Sequence, residues 1–447
     1  MSNVDSSVRC GGMRRLARWL VRQYYPHIEV TNAERIPQTG PVLLCANHAN
    51  ALIDPVLIGI TAIRPVRFMA KAPLFEISVL GPVMQAMGMV PAFRGSDDVR
   101  QVRRNIEGLN TGAKILVEGN AMGIFPEGKS TDASRLETIR SGAARMAVQA
   151  AEQGATGLKV VPIGITYEHK EKFRSSVLVR VAEPIDVDEW LKQREGDGRK
   201  AMRALTSELE SRLRQVVVHL EEPQWEPWLD DLEVLVPPPK DGLQSPIRSL
   251  QQRKRIADAI NHFLKTDRPR AELVADEIKA YRDSVRAAGL RIDSPVLSSR
   301  GLQTTFGLMR SFVWLWLLLV PAMLGTMHHL VPFVMVRTIA SRLDQPGLQT
   351  VATHRIFVGV PIYLLWYASV AVWMIASRFQ AWTIGAWLVA MPFVGVLALH
   401  YWRRARHAVQ LLWHQLRVSV DHQRLKELRQ QQTQLQQQLT EMAVEYK

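Results

Sequence analysis

Three stretches of this chain, Phe312–Val336, Ile356–Ala376 and Trp382–Trp402, are apolar over the length a bilayer core demands, about 20 helical residues. Hydrocarbon offers a backbone no hydrogen-bond partner, so such stretches must be helical wherever they meet lipid. The rest of the 447-residue chain reads as water-soluble, a long segment before them and a short tail after. The first stretch is interrupted by Pro321, Gly325, His328, His329 and Pro332, and neither half is long enough to span. Arg337, Arg342 and Arg355 lie between the first and second stretches, Arg378 alone between the second and third, and Arg403, Arg404 and Arg406 follow the third. The positive-inside rule then puts the first link and the tail in the cytoplasm. With the long N-terminal segment on the same side, the first stretch has to enter and return as a re-entrant hairpin broken near His328. Three simple spans would instead put the tail outside. His328 and His329 read as the hydrated tip of that hairpin, not as a metal site, because no carboxylate or cysteine stands near them in sequence.

Upstream the periodicity changes. Val42–Ala46, Val66–Met69, Met89–Phe93, Met122–Phe125, Val160–Thr166 and Val177–Val181 read as short strands. Val99, Val102, Ile106, Leu109, Ala113 and Leu116 recur at steps of three and four, the pattern of an amphipathic helix, and Gly142–Ala151 reads as another. Strands alternating with helices indicate an α/β domain. Near the start, Arg14, Arg15, Arg18 and Arg22 gather toward one side of Gly12–Tyr25, with Leu16, Trp19, Leu20 and Tyr24 mostly on the other. That suits a helix lying on an anionic membrane, or one packed on the domain surface. Pro237, Pro238 and Pro239 mark a boundary within Glu222–Lys240. Two polar helices follow, about Pro246–Lys265 and Arg270–Ala288. In the tail, Leu425, Leu428, Leu435, Leu439 and Met442 form a partial heptad seam with Gln432 inside it. It suits a weak coiled coil, and so a possible homodimer, or a solvated lone helix.

The formal net charge of +14 draws such a chain toward phosphates. The basic residues are scattered or flank the apolar stretches, with no aromatic-basic platform, which argues against nucleic acid and for lipid headgroups or a phosphorylated substrate. The two cysteines, Cys10 and Cys45, define neither a disulfide framework nor a zinc site. The first residues lack the basic-then-apolar pattern of a signal peptide, so the long domain is expected in the cytoplasm.

Chemistry concentrates in Asn47-His48-Ala49-Asn50-Ala51-Leu52-Ile53-Asp54-Pro55, just after the first expected strand. Histidine is the usual base near neutral pH, and a carboxylate fixes its tautomer and stabilises its cation. On a continuous helix, positions six apart would sit about 9 Å apart along the axis and on different faces. The segment between His48 and Asp54 must therefore turn back, with Asp54 near a helix start. Asp54-Pro55 also fits an ordinary N-cap followed by proline at the first helical position.

Taken together, His48 with Asp54, Phe93-Arg94-Gly95, Phe125-Pro126-Glu127-Gly128 and Val160-Val161-Pro162 resemble, in order, the four motifs of the glycerolipid acyltransferase family. That family contains glycerol-3-phosphate and lysophosphatidate acyltransferases. The resemblance covers about Pro41 to Pro184. It implies an α/β acyltransferase domain with a mixed sheet flanked by helices, then a helical linker region and a C-terminal α-helical membrane domain. It also implies that His48 and Asp54 are catalytic, that Arg94, Gly95, Glu127 and Gly128 bind the phosphorylated acceptor, and that Pro162 belongs to the acyl-binding region. Arg140 matches a basic position that often follows the third motif, and Lys71 is a similar substrate-binding candidate. Five residues separate His48 from Asp54, where the common family spacing is four. That longer form, the stretch through Ser130 and Asp132, and Tyr167 through Phe173-Arg174-Ser175 are similar to the glycerol-3-phosphate and dihydroxyacetone-phosphate branch.

The organisation expected is an amphipathic membrane-associated helix (1–30), an acyltransferase domain (31–221), a linker and helical region (222–300), a membrane domain (301–406) and a Gln-rich helix (407–447). The expected protein is an integral membrane enzyme. It would use acyl-CoA or acyl carrier protein as co-substrate, with no cofactor, no metal and no covalent acyl-enzyme, and backbone amides near His48 would meet the oxyanion. Lysophosphatidate is the alternative acceptor. A silent membrane scaffold is the non-enzymatic alternative, and it leaves His48, Asp54, Arg94 and Glu127 unexplained.

Overall fold

The computed structural model describes residues 11–78, 80–93, 99–194, 198–236, 246–294, 297, 301–343, 347–418 and 422–446. The chain forms two compact units. One comprises Met1–Pro223, Leu243–Asp258 and Gln345–Thr353, the other Gln224–Gly242, Ala259–Asp344 and His354–Lys447.

The first unit is built on a mixed sheet of β1 (His27–Thr31), β2 (Val42–Ala46), β3 (Val66–Lys71), β4 (Val90–Ala92), β5 (Ala121–Ile124), β6 (Lys159–Tyr167), β7 (Ser176–Val181) and β8 (Ile185–Asp186). Their order is β1-β7-β6-β2-β5-β3-β4, with β8 against β6. All pairings are parallel except those of β6 with β7 and β8. The strand β2 lies between two parallel neighbours, and all five of its residues are fully buried, which is why Val-Leu-Leu-Cys-Ala shows no polar alternation. The six expected strands all form. Sequence reading missed β1, whose His-Ile-Glu-Val-Thr mixes charge with apolar residues because it closes the sheet's end against β7 alone. It also missed the two-residue β8.

The helices of this unit include α1 (Gly11–Tyr24), α2 (Ile53–Ala62), α3 (Leu80–Ala86), α4 (Val99–Val117), α5 (Gly142–Glu152), α6 (Val187–Lys192) and α7 (Gly198–Val216). Leu109, Ala113 and Leu116 of α4, Met146 and Ala147 of α5, and Leu205, Leu209 and Leu213 of α7 form one apolar cluster with Leu43, Cys45, Met122 and Val160 of the sheet. The strand β6 runs so close to the end of α7 that a Cβ on Gly164 would lie 2.3 Å from the Val216 carbonyl oxygen. In α1 the four arginines share a side, as expected, but one edge of that side is turned into the fold. Arg14 donates to the Met87 carbonyl (3.2 Å) and Arg18 to that of Gly59 (2.9 Å), beside buried Val21 and Tyr24. Met13, Leu16 and Trp19 stay exposed with Arg15 and Arg22.

In the second unit α8 (Glu226–Leu235), α10 (Arg268–Ala287) and α15 (His422–Glu445) pack together; α9 (Pro246–Thr266), whose residues up to Asp258 belong to the first unit, precedes α10. Trp228 Nε1 donates to the Ala275 carbonyl (3.1 Å), Arg282 pairs with Asp231 (2.9 Å) and Arg270 with Glu445 (2.7 Å). Leu428, Gln432, Leu435, Leu439 and Met442 are buried in this packing. The seam is thus covered by the chain's own helices, which replaces both the coiled coil and the lone helix expected for it.

The apolar region forms α11 (Gly301–Leu317), α12 (Leu319–Leu343), α13 (Val351–Ala376) and α14 (Ala381–Val418). Leu319–Leu343, Val351–Ala376 and Ala381–Gln410 are each long and apolar enough to cross a membrane. The hairpin expected near His328 is not there, since α12 runs unbroken through His328, His329 and Pro332. The interruption lies at Leu318, and helical hydrogen bonds bridge it: Leu318 N to the Trp314 carbonyl and Ala322 N to that of Leu318, both 3.0 Å. It is a kink beside Pro321, which lacks the N–H to close its own turn, and not a reversal. Helix α12 packs antiparallel to α14. Gly325 abuts the Val394 backbone, His329 lies on Gly395, and the His328 ring meets Trp387 at 5.3 Å. Small residues allow this close approach. The first link and the Arg403–Arg406 end therefore leave this pair at opposite ends, where the charge rule put both on one side. His329 bonds the Gly325 carbonyl (2.8 Å) and the Tyr367 hydroxyl (2.9 Å), and Trp366, Tyr367 and Trp387 surround His328. The pair sits mid-helix in an aromatic nest, not at a hydrated tip.

Gly164→Ala is expected to destabilise the first unit by about 1–3 kcal/mol, the usual cost of overpacking. Thermal unfolding of the detergent-solubilised protein checks this, and an unchanged midpoint would refute the close approach of β6 to α7.

Candidate active site

Because β2 and β5 are parallel neighbours, Asn47-His48 and Phe125-Pro126-Glu127 leave the sheet side by side at its carboxyl edge. From β2 the chain crosses to β3 on one side, and from β5 to β6 on the other. A crevice opens where connections diverge in this way, and it is the usual ligand site of such sheets.

Asn47 clamps the end of β2 to β6: its side chain donates to the Ile165 carbonyl (3.0 Å) and accepts from Ile165 N (2.7 Å). The chain then turns back, and α2 begins at Ile53 with Leu52 in the capping position. Asp54 is therefore inside the first turn and does not cap the helix. Its carboxylate, fully buried, reaches back instead. Oδ2 accepts from His48 Nδ1 (2.8 Å), Ala49 N (2.8 Å) and Asn50 N (2.7 Å), and Oδ1 accepts from the Tyr167 hydroxyl. A carboxylate can only accept, so Nδ1 carries the proton and Nε2 is the basic nitrogen. The His48 ring stacks on Phe125 at 4.0 Å with 13° between planes, and its side chain is 15% exposed.

Glu127 is turned into the fold. It is 2% exposed, and its oxygens accept from His48 N (2.8 Å) and Glu137 N (3.2 Å). Burial raises its carboxyl to about 7 against the pull of those two donors, with Glu137 and Asp54 adding repulsion. Its structural task is to pin the His48 loop to the loop after β5. The amides of His48, Ala49 and Asn50 are all committed to carboxylates. The oxyanion donors expected there must come from elsewhere.

Gly128 adopts φ +71°, and the Arg140 side chain lies over it, with Nε 3.2 Å from where a Cβ would be. Arg140 is exposed, and its backbone N–H donates to the Pro126 carbonyl (2.9 Å). This places a guanidinium beside the Phe-Pro-Glu-Gly turn, while Lys129 pairs with Glu137 (3.3 Å). Lys71 ends β3, exposed. Pro162 is buried inside the sheet opposite Cys45, its carbonyl accepting from Ala182 N (2.9 Å), so it shapes the sheet and lines no open surface. Arg94 and Gly95 lie outside the described residues. The fold thus brings His48, Asp54, Glu127, Gly128 and Arg140 together. Sequence reading missed Asn47, Asn50 and Tyr25 as site residues, and gave Tyr167 no role; it lies 113 positions from the carboxylate it serves.

Residues 27–166 match the family model described as Acyltransferase, so this segment carries a domain of that family. The chain is similar to the 1-acyl-sn-glycerol-3-phosphate acyltransferase of Borreliella burgdorferi, 29% identical over 136 residues, covering 30% of this chain and 50% of that protein. Over 77 residues it is 38% identical to Glycerol-3-phosphate O-acyltransferase 1 of Saccharomyces cerevisiae, covering 17% of this chain and 10% of that protein. It is 29% identical over 156 residues to the Lyso-ornithine lipid O-acyltransferase of Pseudomonas aeruginosa, covering 34% of this chain and 54% of that one. The chain therefore spans about half the length, or much less, of these relatives.

Glu127 gives a pH signature. Its folded pKa of about 7 lies above the ordinary 4.5, so the folded state holds a proton that the unfolded chain releases earlier. Stability contributed at this site is full below about 4.5 and declines as pH rises to about 7. The stability of the wild type relative to Glu127→Gln should fall across that window in parallel thermal melts, and a flat difference would contradict it.

Proposed function

We propose that this chain is a membrane-bound O-acyltransferase of glycerolipid synthesis. It moves a fatty acyl group from acyl-CoA or acyl carrier protein to a hydroxyl of glycerol 3-phosphate or dihydroxyacetone phosphate, with its catalytic domain on the cytoplasmic face. The observation that carries this reading is the 2.8 Å bond from His48 Nδ1 to a fully buried Asp54 carboxylate. That bond leaves Nε2 as a base at the mouth of the crevice. Nε2 takes the proton of the acceptor hydroxyl, and the oxygen attacks the thioester carbonyl. The tetrahedral oxyanion collapses, the C–S bond breaks, and the imidazolium returns its proton to the departing thiolate. Asp54 stabilises the imidazolium while it exists. Arg140, with Arg94 from the second motif, supplies the guanidinium for the acceptor's phosphate.

The yeast relative and the long His48–Asp54 spacing favour glycerol 3-phosphate. The spirochaete relative, matched over a longer stretch, favours a second reading in which lysophosphatidate is the acceptor. A lipid acceptor would enter from the bilayer. A silent scaffold gives no reason to seal a carboxylate beneath a histidine at a strand end.

Thiol release from palmitoyl-CoA, with each acceptor offered separately to membranes holding the protein, decides between these readings. His48→Ala or Asp54→Ala is expected to lose about 10²- to 10⁴-fold in rate, the usual contribution of a general base. Either variant keeping most of its rate would rule the mechanism out. Arg140→Ala should raise KM for the phosphorylated acceptor about tenfold while sparing kcat, as removal of a charged hydrogen bond predicts. An unchanged KM would remove Arg140 from the acceptor site.

A further inference from the structure

We infer that Tyr167 is a positioning residue for the His48–Asp54 pair: its hydroxyl fixes the carboxylate's rotation and limits how strongly Asp54 stabilises a protonated His48. The inference rests on the reading above, in which His48 is the base.

The donors around Asp54 are unevenly placed. Oδ2 takes His48 Nδ1, Ala49 N and Asn50 N, all from the loop that also carries the base. Tyr167 is the donor on Oδ1, and it comes from outside that loop. Three bonds to one oxygen leave the carboxylate able to swing about it, and a fourth on the other oxygen stops the swing. Tyr167 is itself held firmly. It ends β6, is paired in the antiparallel ladder opposite Val177, and its ring packs against Tyr25 at 5.4 Å. Tyr25 is fully buried where α1 ends. It accepts from Asn50 Nδ2 (2.9 Å) and donates to the Lys170 carbonyl.

The bond can run only one way. Asp54 has no proton to give, so Tyr167 donates. Burial and the neighbouring Asp54 push the phenol well above its ordinary range, so it keeps that proton at any working pH. A carboxylate already answered by four donors has less charge to offer an imidazolium. Removing the phenol hydroxyl therefore favours the imidazolium, and His48 would become the neutral base only at higher pH. Among the described residues, the titratable and charged groups facing this centre are Tyr25 and Tyr167 on one flank, with Glu171 beside Tyr25, and Glu127 on the other. Beyond them lies Lys170, paired with Asp132 and bonded to the Thr131 carbonyl at 3.1 Å.

The test is the pH profile of kcat/KM for full-length, detergent-solubilised protein with palmitoyl-CoA and glycerol 3-phosphate or lysophosphatidate, whichever releases thiol. The acceptor's own titration is common to all variants and cancels in the comparison. Tyr167→Phe should move the acidic limb up by about one pH unit, so that the rate falls about tenfold below the limb and returns to within about twofold above it. Tyr24→Phe, which loses a hydroxyl bonded to the Glu171 carbonyl and not to Asp54, should leave the limb in place. Fluorotyrosine at 167, a stronger donor, should move the limb down, and it carries the test alone if Tyr167→Phe fails to fold. A limb unmoved by either change at 167 overturns the inference. So does a uniform loss at every pH, which marks a merely structural tyrosine. If His48→Ala keeps the wild-type rate, the underlying reaction falls and takes this inference with it; if His48→Ala is inactive and the limb does not move, only the inference falls.

Discussion

A carboxylate with no contact with water must have its charge met by donors held in place around it, or it will not stay ionised there. Asp54 meets that demand with one imidazole N–H, two main-chain amides and one phenol. Three of these donors come from the loop after β2 and the fourth from the end of β6, so the carboxylate, in the first turn of α2, ties those three segments together. A second buried acid, Glu127, does the same for the main chain of His48 and ties it to the loop after β5. The base is thus held by its ring on one side and its backbone on the other. The same economy removes the three nearest amides from any further task, so charge developing on a substrate must be met by groups from other loops.

Much of this domain was legible in the sequence because its signals are local. Central strands buried on both faces read as unbroken apolar runs, and α4 shows a clean step of three and four. The first and third motifs follow the ends of β2 and β5, where chemistry in such sheets collects. What could not be read depends on contacts between distant positions. The edge strand β1 carries polar residues because, among the described residues, it pairs with β7 alone. The resemblance gave Glu127 a role at the substrate, and its bonds to His48 N and Glu137 N had no local signal. Asp54 beside Pro55 had the form of a cap, and the competing bonds to Ala49 and Asn50 won. Tyr167 had no local signal tying it to Asp54.

The apolar region shows the opposite balance. Length and hydropathy located its helices well, but the prolines misled. Pro332 sits inside α12 without ending it, and Pro321 bends the chain where a reversal near His328 was expected. Two histidines within an apolar stretch suggested water, yet side chains from α13 and α14 enclose them in aromatic rings. The tail seam was recognisable as apolar spacing, but spacing does not say which surface will cover it, and here α8 and α10 do.

The base and its carboxylate lie on one short run of chain, from His48 to Asp54, while Arg140 and the turn at Gly128 come from loops elsewhere in the sheet. On the function proposed above, a lineage that keeps Glu127 and Tyr167 in place can inherit the His48–Asp54 segment whole and exchange other loops around it. Divergence in what is acylated then costs little in how it is acylated. Short stretches of likeness can persist among proteins whose names specify quite different acceptors.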